Sequence, residues 1–330
     1  MVLRIMHAQK SRTTRWWPLA RRALPVVFVA IVAALVFWRA RAIDWPGVFE
    51  ALREYRAPTL GAAAAAALLS YLVYACYDLV GRAYTRHRIP TWRAMTIAAI
   101  SYAFNLNFGT LVGGMGFRYR LYSHQGLRPS MITRVLAVSV VGNWLGWFCV
   151  AGSAFAMRWV PLPAGWAVGQ AGLQLVGIVL LLAVIGYLIT CAISRRRAWT
   201  LRKHDVELPT LRIAGAQVGL AICNWLLMST IVFVLLQPYV GFTTVQGVLM
   251  TSAVASVIVR VPAGLGVIEA VFIALLGDRV GEPRLVAALL AYRAVYYFAP
   301  LLLAIVAYAV LEGRFRLRAR SHVTQHAGSR

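Results

Sequence analysis

Negative charge is scarce in this chain. Ten Asp and Glu stand against 34 Lys and Arg in 330 residues, a formal net charge of +24. Charged residues of both signs make up 13% of the sequence, where a soluble globular domain carries about 25%. Cysteine is rare too. Cys76, Cys149, Cys191 and Cys223 all fall in apolar runs, without Cys-x-x-Cys spacing. That argues against a disulfide or zinc framework and leaves them as small apolar packing residues. The histidines, His7, His87, His124, His204, His322 and His326, are scattered. His322 and His326 have helical spacing but sit in a polar tail, so no metal or other cofactor is expected. Phosphate-loop, His-Glu-x-x-His and Gly-x-Ser-x-Gly motifs are missing, which argues against direct ATP use and the familiar hydrolase chemistries. An intramembrane enzyme acting on lipid phosphate would need a nucleophile, a metal cluster or paired aspartates, and none is found. The chain is not expected to be an enzyme.

What is abundant is apolar sequence. Hydrophobic residues make up 61% of the chain, and mean hydropathy is +0.70. Several runs approach the ~20 apolar residues that cross a bilayer. They lie at 24–38, 58–80, 135–157, 172–193, 213–236 and 285–311. The expectation is an all-α polytopic membrane protein with about six full transmembrane helices. A single transmembrane domain, 24–311, is flanked by a basic segment, 1–23, and a basic tail, 312–330. The first run is read as an uncleaved anchor; Ala40-Arg41-Ala42 keeps a cleaved signal peptide as the alternative. The strong basic balance points to cytoplasmic loops and anionic lipid surfaces. It does not point to nucleic acid, since no RNA motif or zinc-finger spacing accompanies it.

Charge counting orients the chain. Basic residues crowd the lead, the stretch Arg82 to Arg93, the segment 194–212 and the tail. Segment 158–171 holds only Arg158, and 237–246 holds none. The basic segments and both termini are therefore expected in the cytoplasm of a bacterial inner membrane. Two regions then start and end on the same side: 94–130 inside and 247–284 outside. Each is expected to be a re-entrant helical hairpin. Gly114-Met115-Gly116-Phe117 marks one tip, and Gly264-Leu265-Gly266-Val267 the other. The order span, hairpin, span occurs twice, over about 58–157 and 213–311, in opposite orientations, which is an inverted repeat of the kind transporters use.

Broken backbone at membrane depth must be covered by protein or water, so the two tips should meet centrally. Each break opens a helix N-terminus that favours an anion, and a lipid phosphate is the anion at hand. Gly114, Gly116, Gly264 and Gly266 permit close backbone approach, and Pro262 suits the turn. Arg118 and Arg293 are candidate phosphate ligands, with Arg260, Asn105 and Asn107 as polar support. Arg118, Arg120 and Arg260 have the alternative of snorkelling to the surface. Glu269 either pairs with Arg118 or Arg293, or accepts the amine of a head group. Asp78 reads as a local pair with Arg82 at i+4.

VPAGLGVIEAVFIALL, the earlier Asn-x-Asn-Phe-Gly…GGMGFR segment and YRAVYYFAP resemble the membrane region of the lysylphosphatidylglycerol synthases (MprF type). They resemble more closely the stand-alone YbhN-like bacterial inner-membrane proteins, over about residues 24–311. The resemblance implies lipid translocation, with Pro262, Gly264, Gly266, Glu269, Arg293 and Pro300 matching the motifs. A soluble aminoacyl-transfer domain is absent from this sequence. The expected function is a lipid transporter, flippase or scramblase for a phospholipid or related anionic lipid. The alternative is a non-catalytic membrane partner of a lipid-modifying enzyme. Membrane phospholipids are the expected partners, with a lipid-modifying enzyme or a second copy of the chain as further ones.

Overall fold

A computed structural model describes residues 44–162, 169–194, 198–201, 204–259, 261 and 264–327. The expected first span, 24–38, and the basic lead lie outside these residues. The described chain is helical, as the apolar runs predict. Helix α1 (Trp45–Arg53) starts where the Asp44 carboxylate accepts from Gly47 N at 3.3 Å, with Pro46 in the first turn. Helices α2 (Ala57–Thr85) and α5 (Pro129–Ala156) also have proline in the first turn, where no backbone donor is needed. Helix α3 (Thr91–Gly109) leads into a π-helical segment (Thr110–Gly116) and a short α4 (Phe117–His124). Helices α6 (Gln170–Ile193) and α7 (Leu211–Leu236) are joined by strands β1 (Ala198–Leu201) and β2 (His204–Glu207). Helix α8 (Phe242–Val259) precedes α9 (Val267–Val280) and α10 (Glu282–Arg293). A second π segment (Ala294–Phe298) continues into α11 (Ala299–Ala327).

Six described helices are long and apolar enough to cross a membrane: α2, α5, α6, α7, α8 and the continuous stretch Glu282–Gly313. Five of the six expected spans are there, and 24–38 is outside the described residues. Helix α8 is the addition. At 18 residues it is about 27 Å long, close to the thickness of a bilayer core. Its partner α9, at 14 residues, is only about 21 Å long. The antiparallel β1–β2 pair, with Ala198 opposite Glu207 and Leu201 opposite His204, was not expected in the basic segment 194–212.

Each of the two glycine-rich regions packs its second arm back on its first, but the first region turns at a different residue. Gly109 (φ +80°) makes the reversal, and the returning arm begins at Thr110. The Gly113–Gly116 cluster lies inside that arm, where Gly113 and Gly114 serve close packing. A Cβ on Gly113 would run into the Phe104 carbonyl, and one on Gly114 would sit 2.8 Å from Asn105 Oδ1. Sequence alone does not separate a glycine needed for left-handed φ from one needed for contact. In the second hairpin Gly264 (φ +58°) and Gly266 (φ +77°) do form the turn, and Gly266 opens α9. Gly113→Ala is expected to destabilise the protein by roughly 1–3 kcal/mol, as overpacking against backbone does. Thermal unfolding in detergent, with Gly186→Ala as an unobstructed control, checks it.

Helices α2 and α7 pack along each other at the centre, and α5, α8, α9 and α10 complete the main core. The α2–α7 seam is polar at its middle. Ser70 Oγ donates to Asn224 Oδ1 at 2.7 Å and lies 2.7 Å from the Tyr296 hydroxyl, which is 2.8 Å from that of Tyr102. Such a chain satisfies polar groups that lipid would leave unpaired. The second π segment is tied in the same way. The Tyr296 carbonyl accepts from Tyr71 Oη at 3.2 Å, and the Tyr297 carbonyl from Asn107 Nδ2 at 3.2 Å. A π segment loosens the regular backbone ladder, and these two side chains fill the vacancies.

Candidate functional site

A cavity of about 350 Å³ lies where the two hairpin tips approach each other. Gly114, Met115 and Arg118 line it from the first hairpin, and Gly264 and Ile268 from the second. Its remaining wall is rich in aromatics: Tyr74 and Tyr102, Trp144 and Trp147 of α5, and Trp225 of α7. Trp144 is 39% exposed and Val257 52%, so the cavity adjoins the apolar outer surface between α5 and α8.

Arg118 does not snorkel. It is 2% exposed and reaches Asp78, with Nε to Oδ2 at 3.3 Å and Nη2 to Oδ1 at 3.0 Å. Its guanidinium also lies 5.4 Å from the Tyr74 ring centroid, and Nη1 is 3.5 Å from the Tyr74 hydroxyl. Asp78 is fully buried and further accepts from Tyr122 Oη at 2.8 Å and Ser139 Oγ at 3.2 Å. The expected Asp78–Arg82 pair is therefore corrected. Arg82 turns to Thr91 Oγ1 at 2.5 Å, and a buried carboxylate takes the buried cation instead. Arg120 is the surface arginine, 51% exposed and bonded to Glu312 at 2.6 Å.

Glu269 pairs with Arg293, one of its two expected cations. Arg293 Nε donates to Oε1 at 2.6 Å and Nη2 to Oε2 at 3.1 Å, a two-pronged contact. Nη2 also reaches the Gly264 carbonyl at 3.2 Å, so the arginine clasps the turn and the first turn of α9 together. The Tyr297 ring centroid lies 5.3 Å from its guanidinium. Each hairpin is thus anchored by one buried arginine, one carboxylate and one tyrosine ring.

Asn105 lines the cavity, and its Oδ1 is buried without a partner. Asn107 instead holds the Ala103 and Tyr297 carbonyls and is not part of the cavity wall. Gly116 closes the π segment at an exposed position. Arg260 and Pro262 lie outside the described residues. Two further features were not read from sequence. Asp78 had a visible signal, an acid inside an otherwise apolar run, which is costly unless used. The tryptophans of the wall had none, because aromatic residues in a membrane helix equally well pack or anchor. Among the described residues no cluster of His, Cys, Asp and Glu fits a metal.

Comparison with known proteins agrees with this architecture. The profile of the family described as "Lysylphosphatidylglycerol synthase TM region" matches residues 26–304. The Escherichia coli protein named "Inner membrane protein YbhN" is 43% identical over 314 residues, covering 94% of this chain and 98% of that one. A Synechocystis protein, slr0712, is 28% identical over 283 residues, covering 84% and 88%. A Staphylococcus haemolyticus "Phosphatidylglycerol lysyltransferase" is 32% identical over 89 residues, 25% of this chain and 10% of the enzyme. With six described helices long and apolar enough to cross a membrane and a family match over most of its length, the chain belongs to the lysylphosphatidylglycerol synthase TM region family.

Proposed function

We propose that the protein moves a phospholipid or related anionic lipid between the leaflets of a bacterial inner membrane. The observation that carries this reading is the cavity at the meeting of the two hairpin tips, with a buried arginine in its wall. The head group enters the cavity from the α5–α8 side, and the acyl tails stay in the bilayer. Arg118 Nη1, Trp147 Nε1 and Asn105 offer polar contacts to the head group. Arginine suits this task because its planar fork meets two phosphate oxygens. The Arg293–Glu269 clasp keeps the second tip in shape. In this reading the hairpins are re-entrant from opposite faces and form an inverted repeat. The element order supports it: α2, hairpin, α5 recurs as α7, hairpin, α10–α11. Both termini then lie in the cytoplasm.

The test is lipid movement by purified protein in vesicles of phosphatidylethanolamine and phosphatidylglycerol, followed with fluorescent analogues of each. Arg118→Lys keeps the charge and loses the fork. It is expected to slow movement roughly ten- to hundredfold, the worth of one charged hydrogen bond. An unchanged rate would remove Arg118 from the site, and an inactive wild type across both lipids would remove the activity.

A second reading, a non-catalytic membrane partner of a lipid-modifying enzyme, draws on the segment shared with the lysyltransferase. Stable stoichiometric co-purification with such an enzyme, without lipid movement by the isolated chain, would favour it.

A further inference from the structure

A second cavity, of about 390 Å³, lies at the end of α2 and the turn that follows it. Leu79, Arg82, Ala83, Arg86, His87 and Thr91 line it, so its wall holds two guanidinium groups and no carboxylate. Among the described residues neither arginine has a carboxylate partner. The one acid of α2, Asp78, is fully buried and committed to Arg118. Arg82 Nη1 donates instead to Thr91 Oγ1 at 2.5 Å, which leaves the threonine hydroxyl its own proton to give.

His87 sets this cavity apart from an ordinary basic surface. The residue is 7% exposed. Burial, and then the nearby Arg82, push its imidazole below the usual range and keep it neutral. Nδ1 accepts from Ile89 N at 3.4 Å, so the neutral ring carries its proton on Nε2. That Nε2–H is buried without a partner. A buried donor left unmatched is costly, and an acceptor in the cavity removes the cost. Thr91 is also the first residue of α3, whose N-terminus no side chain caps. The backbone N–H groups there bring the positive end of a helix dipole to the same cavity. An anion with several oxygens answers all of these donors at once.

The depth of the cavity says which anion is at hand. Helix α2, 29 residues long and apolar enough to cross a membrane, ends at Thr85 beside it. Trp92 is 59% exposed, and the Arg93 guanidinium lies 5.1 Å from its ring centroid. Exposed tryptophan and arginine at the end of a span mark the head-group level of a bilayer. A basic pocket at that level is suited to an anionic lipid. We propose that this cavity is a separate lipid site, which holds the phosphate of an anionic phospholipid at the membrane surface. Arg82 and Arg86 supply the opposite charge, and His87 Nε2 and the Thr91 hydroxyl donate to phosphate oxygens. Leu79 and Ala83 give the first acyl carbons an apolar flank. None of these six residues lines the central cavity, so the site stands whether or not the protein moves lipid.

The experiment titrates the full chain, in neutral detergent, with a short-chain phosphatidylglycerol that carries a fluorophore on one acyl chain. Binding is read by anisotropy, with unlabelled phosphatidylcholine and inorganic phosphate as competitors. Comparing wild type with variants of this cavity separates it from any binding in the central one. Arg82→Gln together with Arg86→Gln is expected to weaken binding at least ten- to hundredfold, the worth of one charged hydrogen bond. His87→Phe keeps the ring and removes the donor, for a loss of about three- to tenfold. High salt should shrink the difference between wild type and the arginine variant, because charges near the surface are screened. Unchanged affinity in the arginine variant overturns the site. Equal competition by phosphatidylcholine overturns the choice of an anionic lipid. Displacement by inorganic phosphate at the lipid's own concentration makes a soluble anion the occupant and overturns the lipid. Arg86→Gln alone changes an exposed side chain and keeps the assignment testable even where His87→Phe fails to fold.

Discussion

Replacing Arg293 with methionine is expected to lower stability by about 3–5 kcal/mol, because it strands the Glu269 carboxylate at the hairpin turn. The arginine is 4% exposed and makes three bonds to the second tip, two to Glu269 and one to the Gly264 carbonyl. Glu269→Gln should cost less, since an amide still accepts from the guanidinium. The double change Arg293→Met with Glu269→Gln should recover much of the loss, since it leaves no unpaired charge. Thermal unfolding in detergent across the four proteins gives the coupling. Equal losses in the single Arg293→Met and double proteins would mean that packing, and not charge, holds the turn.

Asp78→Ala should be at least as damaging, at about 3–5 kcal/mol, and more so than Arg118→Met. The asymmetry follows from the chemistry of the two groups. An arginine cannot shed its proton, so removing Asp78 leaves a fixed buried cation. Removing Arg118 leaves a carboxylate that keeps its bonds from Tyr122 and Ser139 and can be neutralised by a proton. Denaturant unfolding of both variants checks the order. If Arg118→Met proved the worse, the guanidinium's packing on Tyr74 would outweigh the ion pair.

Much of the architecture is legible because lipid enforces simple rules. Long apolar runs have to be helices, and the five described ones are. The Glu269–Arg293 pair is legible because both charges sit in otherwise apolar stretches. Asp78 is different. Its partner is 40 residues away, and a local arginine at i+4 offers a sufficient account until the fold is seen. The first turn was misread because GGMG looks like a reversal, whereas the reversal needs one residue at positive φ, Gly109, and the cluster needs only room. Helix α8 was read as a hairpin arm because charge counting forbids a single crossing there, and its 18 residues also meet the length of a span. The β1–β2 pair left no trace because two four-residue strands give no periodic signal.

The pairing of each buried arginine with its own carboxylate has an electrical consequence. Carrying one elementary charge across a membrane at 100 mV involves about 2.3 kcal/mol. Arg118 with Asp78 and Arg293 with Glu269 sum to zero charge. In the transport proposed above, these two pairs would therefore add no net charge to the empty site as its access changes. In that transport, the charge of the cargo would set how strongly the loaded site feels the voltage.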